Sequence, residues 1–268
     1  MELSKAMKTK IILILAVMSI TIFSCNNANK EAQVSEENEF RFLTEQFADL
    51  RIMRYQIPGF DELKLEQKKL IYYLGEAALA GRDIIFDQNY KYNLAIRRTL
   101  EEVLKNYEGD RQTQDWYDFT VYLKRIWFSN GIHHHYSTDK FSPDFSKEYF
   151  EKLLNNSPGS AFPLKKGQDL GEFIDWMADI IFNPEIAPKR VYTNPEHDLI
   201  ALSACNFYEN ITQDEVESYY ESIKKEDDET PVSYGLNSKL IKENGEIKEV
   251  RYKEGGLYGK AITRIIYW

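Results

Sequence analysis

The chain has 268 residues, a formal net charge of −9 at pH 7, 18 tyrosines, 15 phenylalanines and two cysteines. Such acidity makes a poor nucleic-acid binder, and the bulk charge does not draw the chain to anionic lipid. Two cysteines exclude a disulfide-built scaffold, so the fold must rest on burial, and the length allows one large domain or two small ones.

Residues 1–24 read as a signal peptide. Lys5, Lys8 and Lys10 precede an apolar run over residues 11–23, and Ser24 then leads to Cys25. A basic start, a short apolar stretch and a small residue before cysteine form a signal of the bacterial lipoprotein type. The run is too short to span a bilayer, which takes about 20 residues. The expectation is cleavage before Cys25, with acyl chains on its sulfur and new amino group making it the lipid attachment residue. The alternative is an uncleaved N-terminal anchor. A lipoprotein of this kind belongs to the bacterial cell envelope, held at the outer membrane and facing the periplasm, with the lipid anchor as its only membrane contact. Residues 25–39 are polar, have little to bury and read as a flexible tether.

Residues 40–268 read as one folded lobe. Phe40, Leu43, Phe47, Leu50 and Met53 recur at three- and four-residue steps and predict a first helix, ended by Ile57-Pro58-Gly59. A second helix is predicted from about Asp61, with Leu63, Leu70, Leu74, Ala77 and Ala78 in period and Gly81 as its stop. Residues 92–107 and 115–130 repeat the pattern, and 147–155 and 171–182 are shorter helices. Thr212 with Glu215 forms a capping box that opens a helix through Glu221. The charged run 224–229 reads as a loop. Residues 232–242 and 247–252 then alternate loosely around Asn244-Gly245, a strong hairpin signal. A last helix begins near Leu257. Its stripe of Leu257, Ala261, Ile265 and Trp268 meets no Gly or Pro stop, which predicts a lobe incomplete at its C-terminal end. A natural terminus packed into the body is the alternative. The fold class is α+β, a mostly helical body with a small late β element.

The sharpest local feature is His133-His134-His135, three of the four histidines. On an extended segment His133 and His135 share a face, and with one or two further ligands they would chelate a metal. His197 is the remaining imidazole. The competing reading, a loop cluster bonded to backbone and carboxylates, is the preferred one. The sequence thus assigns no metal ligand, and His133, His135 and His197 are the candidates were a metal held. No catalytic residue is assigned either: the sequence lacks His-Glu-x-x-His, Gly-x-Ser-x-Gly and the Gly-rich nucleotide loops. Cys205 stands among apolar neighbours and reads as a buried thiol. Arg82-Asp83 and Arg97-Arg98 flank Phe86, Tyr90 and Tyr92. They form either a ligand shelf or a helical hairpin packed by its own aromatics, with Arg–Asp pairs at the rim.

Several segments together resemble the N-terminal region of bacterial dipeptidyl peptidase III. They are residues 47–55 leading into Ile57-Pro58-Gly59-Phe60, residues 81–88 with Tyr92-Asn93-Leu94, and Asn130-Gly131-Ile132-His133-His134-His135-Tyr136. Residues 234–240 and Gly255-Gly256-Leu257-Tyr258 complete the set. The resemblance covers residues 40–268. It implies the mixed lobe of a two-lobed zinc exopeptidase that removes dipeptides from short peptides. It also implies a partner lobe carrying zinc on a His-Glu-x-x-Gly-His motif and a later acidic motif, neither of which occurs here. No catalytic residue transfers, zinc is implied only for the complete enzyme, and this chain alone is expected to be inactive. The alternative is a non-catalytic peptide-binding or interaction lipoprotein. Substrate-binding residues are not assigned.

Overall fold

The computed structural model describes residues 40–224, 234–235 and 237–268. The signal, the tether, Cys25, residues 225–229 of the charged run and residues 232–233 and 236 of the first alternating segment lie outside the described residues. The chain divides into two units at Pro58.

The described part of the first unit is a β-hairpin, not the predicted helix. Strands β1 (Leu43–Phe47) and β2 (Leu50–Met53) pair antiparallel, with a register shift between Leu43 and Glu45. The apolar residues that suggested a helical period meet across the ladder instead, Phe47 opposite Leu50 and Leu43 opposite Met53. Spacings of three and four residues arise when a turn folds two alternating strands together. Ala48 takes a positive φ of 46° in that turn.

The second unit is the helical body, and the whole is α+β. A short 3-10 turn (Phe60–Glu62) precedes α1 (Leu65–Ala80). Gly81 ends α1 as expected, but α2 (Arg82–Asn89) begins at once. Then follow α3 (Asn93–Asn106), α4 (Gln114–Ser129), α5 (Lys147–Asn155) and α6 (Leu170–Phe182). Polar caps start three of them. Thr113, Ser146 and Asp169 each accept a backbone N–H from the first turn, which satisfies a donor the helix itself leaves orphaned. The apolar faces of α3 to α6 meet in one core. Ile96, Leu100, Phe119, Ile126, Phe150, Leu153, Phe173 and Met177 are fully buried in it. Burying each such side chain contributes roughly 1.5–3 kcal/mol.

Thr212 and Glu215 form the expected capping box on α7 (Gln213–Ile223). Strands β4 (Ser238–Glu243) and β5 (Glu246–Arg251) make the expected hairpin, with Asn244 and Gly245 both at positive φ. The two-residue β3 (Tyr208–Glu209) adds to β4 in parallel, giving the sheet order β3-β4-β5. Ile211, Val216 and Leu240 form a small second core between this sheet and α7. Helix α8 (Gly259–Tyr267) closes the described chain.

One side chain ties the first helices to the loop after α4. Asn93 is fully buried. Its Nδ2 donates to the Phe86 carbonyl at the end of α2 (3.1 Å), and its Oδ1 accepts from the Ile132 N–H (3.1 Å). Gly131 makes room for it: φ is 147°, and a Cβ there would lie 2.1 Å from Asn93 Nδ2. Asn89 adds a 3.0 Å bond to the Asn130 carbonyl. Asn93→Ala strands the buried Ile132 N–H, at about 1–3 kcal/mol, and takes from the Phe86 carbonyl one of its two bonds, about 1 kcal/mol more, since the Tyr90 N–H still reaches it. We expect urea denaturation to show a loss of about 2–4 kcal/mol. A loss under about 1 kcal/mol would mean that this clamp is dispensable.

Candidate functional site

The segment after α4 is an irregular ladder. Phe141 N–H donates to Ile132 O, His134 N–H to Asp139 O, and Lys140 N–H to Pro188 O. The stretch carrying Pro188 continues the pattern: Arg190 N–H donates to Thr138 O, while Ala204 and Cys205 donate to Lys189 and Arg190. Three loops therefore lie side by side, joined by backbone bonds although two of them are fifty residues apart in sequence.

His133 is buried at the root of this ladder. Its Nε2 donates to the Ala187 carbonyl at 2.8 Å, which assigns the ring proton to that nitrogen. Burial pushes its pKa down to about 4, helped by the nearby positive charges of Arg190 and Lys140. His134 accepts the N–H groups of Tyr136 and Ser137 on Nδ1, and its ring stacks on His135 at 4.4 Å. His135 meets Phe128 edge-on at 5.0 Å and gives its carbonyl to Arg190. The expected shared face of His133 and His135 is not formed, because residues 134–138 turn instead of running extended. His197 is exposed, with its ring 6.0 Å from Tyr192. Among the described residues no group of three or more His, Cys, Asp and Glu side chains converges. With one His133 nitrogen spent on a carbonyl, the described donor set does not fit a zinc ion. The histidines form a loop cluster bonded to backbone.

The arginines resolve as a packed hairpin. The Arg97 guanidinium is buried over the Phe86 ring (4.6 Å) and pairs with Asp83 (2.9 Å), while Arg98 reaches the same carboxylate at 3.4 Å. Arg97 is thus buried between α2 and α3, while the carboxylate of Asp83 that both arginines meet stays exposed at the rim. Cys205 is half-buried, and that burial raises its thiol above the ordinary range, away from the thiolate a nucleophile needs.

A second polar cluster is centred on Asp87 of α2. Its Oδ2 accepts from the Tyr258 hydroxyl (2.6 Å) and from Asn206 Nδ2 (2.9 Å), two residues far away in sequence. The Asn206 N–H donates to the Gln88 carbonyl (2.8 Å), and Asn206 Oδ1 accepts from buried Lys239 (2.7 Å). Lys239 also pairs with Glu209. Tyr258 takes φ 61° to cap α8, and its hydroxyl is held well above its usual pKa by burial and then by the Asp87 carboxylate. This relay joins α2, β3, β4 and the start of α8. Asp87 and Tyr258 belong to segments already singled out, but no periodicity pairs residues 171 positions apart.

Beside the relay lies a cleft of about 1010 Å³. Tyr90, Cys205, Tyr208, the Glu215–Lys242 ion pair and the loop 185–192 contribute to its walls. Its lining mixes tyrosine rings, short apolar side chains and charged tips. Sequence spacing gave no sign of this cleft, because its walls come from loops, β3, α7 and β4, which lie far apart in the sequence. No family model and no curated protein sequence matches this chain.

The buried imidazole makes an acid-stability prediction. His133 stays neutral in the fold down to about pH 4, while unfolded it protonates near 6.5. Its contribution is complete above pH 6.5 and is lost as pH falls toward 4, by up to about 3 kcal/mol. His133→Gln cannot take that proton. Thermal melts of the variant should lose less stability between pH 6.5 and 4 than the parent does. Equal losses would show that His133 is not what titrates.

Proposed function

We propose that this chain is the lipid-anchored mixed lobe of a dipeptidyl peptidase III-like zinc exopeptidase, and that its cleft holds part of a short peptide. One observation carries the reading. Among the segments that carry the resemblance, 81–88, 92–94, 130–136 and 255–258 are joined through the bonds of the buried Asn93 and of the half-buried Asp87. Both sets of bonds adjoin the cleft, through Tyr90 and through Asn206.

In this reading the metal and the groups that activate water reside on a partner lobe. The described donors do not fit zinc, so no chemical step is assigned to His133, His135 or His197. The part of this lobe is to bind and orient the peptide. Tyr90 and Tyr208 offer ring faces and hydroxyls, and the Glu215–Lys242 pair offers both charges to a zwitterionic chain. Cys25 tethers the lobe to the outer membrane on its periplasmic side.

The test is a dipeptidyl reporter with a free N-terminus. The 268-residue chain should release no dipeptide with or without added zinc, and a preparation that also contains the zinc-bearing lobe should do so. Zinc-dependent turnover by the chain alone would overturn the proposal. The cleft also favours the second reading, a non-catalytic peptide-binding lipoprotein. That reading predicts peptide binding by the chain alone and no turnover in any preparation.

A further inference from the structure

A second cavity, of about 370 Å³, opens where α3 ends and shares no residue with the cleft. Its volume falls within the roughly 300–1,000 Å³ of small-molecule sites. Residues 107–110 and Thr113, the N-cap of α4, form one side. Tyr149 and Lys152 of α5 and its C-cap Asn156 form the other. The loop after α3 is held by its own bonds. Arg111 donates to the Leu104 carbonyl (3.0 Å) and the Tyr107 carbonyl (2.7 Å), which satisfies acceptors that the end of a helix leaves open. Its guanidinium lies 4.9 Å from the centre of the Trp116 ring, on which Tyr107 stacks at 5.2 Å.

The buried part of the lining is made of hydroxyls. Tyr107 is only 4% exposed, and its hydroxyl lies against Gly109. A Cβ at position 109 would come within 2.2 Å of that oxygen, so glycine gives the hydroxyl its place at the cavity wall. Burial raises the Tyr149 pKa, and the Thr113 and Tyr107 hydroxyls lie close enough to act on it, yet the Tyr149 hydroxyl completes no hydrogen bond. A buried hydroxyl left unpaired by its own chain calls for a partner from outside it. The exposed part of the lining carries charge. Glu108, Asp110 and Lys152 stand there, none of them in an ion pair among the described residues. Asn156 spends its Nδ2 on the Lys152 carbonyl (2.8 Å), which leaves its Oδ1 as an acceptor.

These groups select a ligand by what each can exchange. Hydroxyls donate and accept, carboxylates only accept, and an ammonium only donates. The buried end is neutral, so a ligand charge placed there would find no opposite charge. A single metal ion would leave most of the volume unfilled, and no group of three or more His, Cys, Asp and Glu side chains converges among the described residues. We propose that the cavity binds a neutral polyhydroxylated ligand of one or two sugar rings. Its inner hydroxyls meet Tyr107, Thr113 and Tyr149. Its outer ones donate to Asp110 and Glu108 and accept from Lys152, and its apolar ring face lies on the tyrosine rings. The site is separate from the cleft, and its ligand binds whether or not the cleft takes a peptide.

Titration calorimetry of the full chain with glucose, N-acetylglucosamine and maltose is the test, with glycine and calcium chloride as charged rivals. At least one sugar should bind, one per chain, with a Kd of about 1 mM or tighter. Tyr107→Phe keeps the ring and removes only the hydroxyl, and it should weaken that binding about tenfold. Asp110→Asn, at an exposed position that does not endanger folding, should weaken it about fivefold and leave the thermal midpoint unchanged. Binding of none of the three sugars would overturn the proposal and leave the Tyr149 hydroxyl to solvent. Sugar binding that both variants leave unchanged would place the ligand elsewhere and overturn the site. Binding of glycine or calcium without any sugar would overturn the neutral assignment.

Discussion

A single buried carboxamide, Asn93, holds together segments that local structure alone would leave apart. Its donor closes the end of α2 and its acceptor fixes the loop after α4. In a dry interior these bonds cannot be exchanged for water, so any other loop position strands a donor and an acceptor. Gly131 belongs to the same constraint, since no side chain fits beside the carboxamide. The histidine loop, its ladder to residues 187–190 and one wall of the cleft all follow from where Ile132 is held.

Asp87 does for the far side of the cleft what Asn93 does for the near side. Its carboxylate gathers Tyr258 and Asn206, and through Asn206 it reaches Lys239 and the sheet. Charge-assisted bonds of this kind are shorter and stronger than neutral ones, and they demand fixed geometry. The helical core and the small β core therefore meet through polar contacts of high directional precision. The hydrophobic cores supply the stability, and the two polar centres decide which loops face each other.

Helices were legible where a long apolar period is bounded by stop signals, α1 included, whereas the eight-residue α2 was not. The bounds expected for 147–155 recur in α5, and those of α3, α4 and α6 lie within a residue or two of their predicted spans. Asn244-Gly245 and the Thr212 box also form as their chemistry requires. The first segment failed for a physical reason: Phe47 and Leu50 are three apart both on a helix turn and across a tight hairpin, and tertiary context chose the hairpin. The site was less legible. Histidine spacing pointed to a shared face that exists only on an extended strand, and residues 134–138 turn instead. The Asp87–Tyr258 bond joins the two ends of the second unit, and no local pattern encodes it.

These polar contacts, and not packing alone, fix the site. A double-mutant cycle on Asp87→Ala and Tyr258→Phe measures that directly, since Phe keeps the ring and removes only the hydroxyl. Denaturant unfolding of the four proteins should give a coupling energy of about 1–3 kcal/mol, the range for a hydrogen bond to a charged group. A coupling near zero would mean that the start of α8 is held by packing, and it would contradict the central claim.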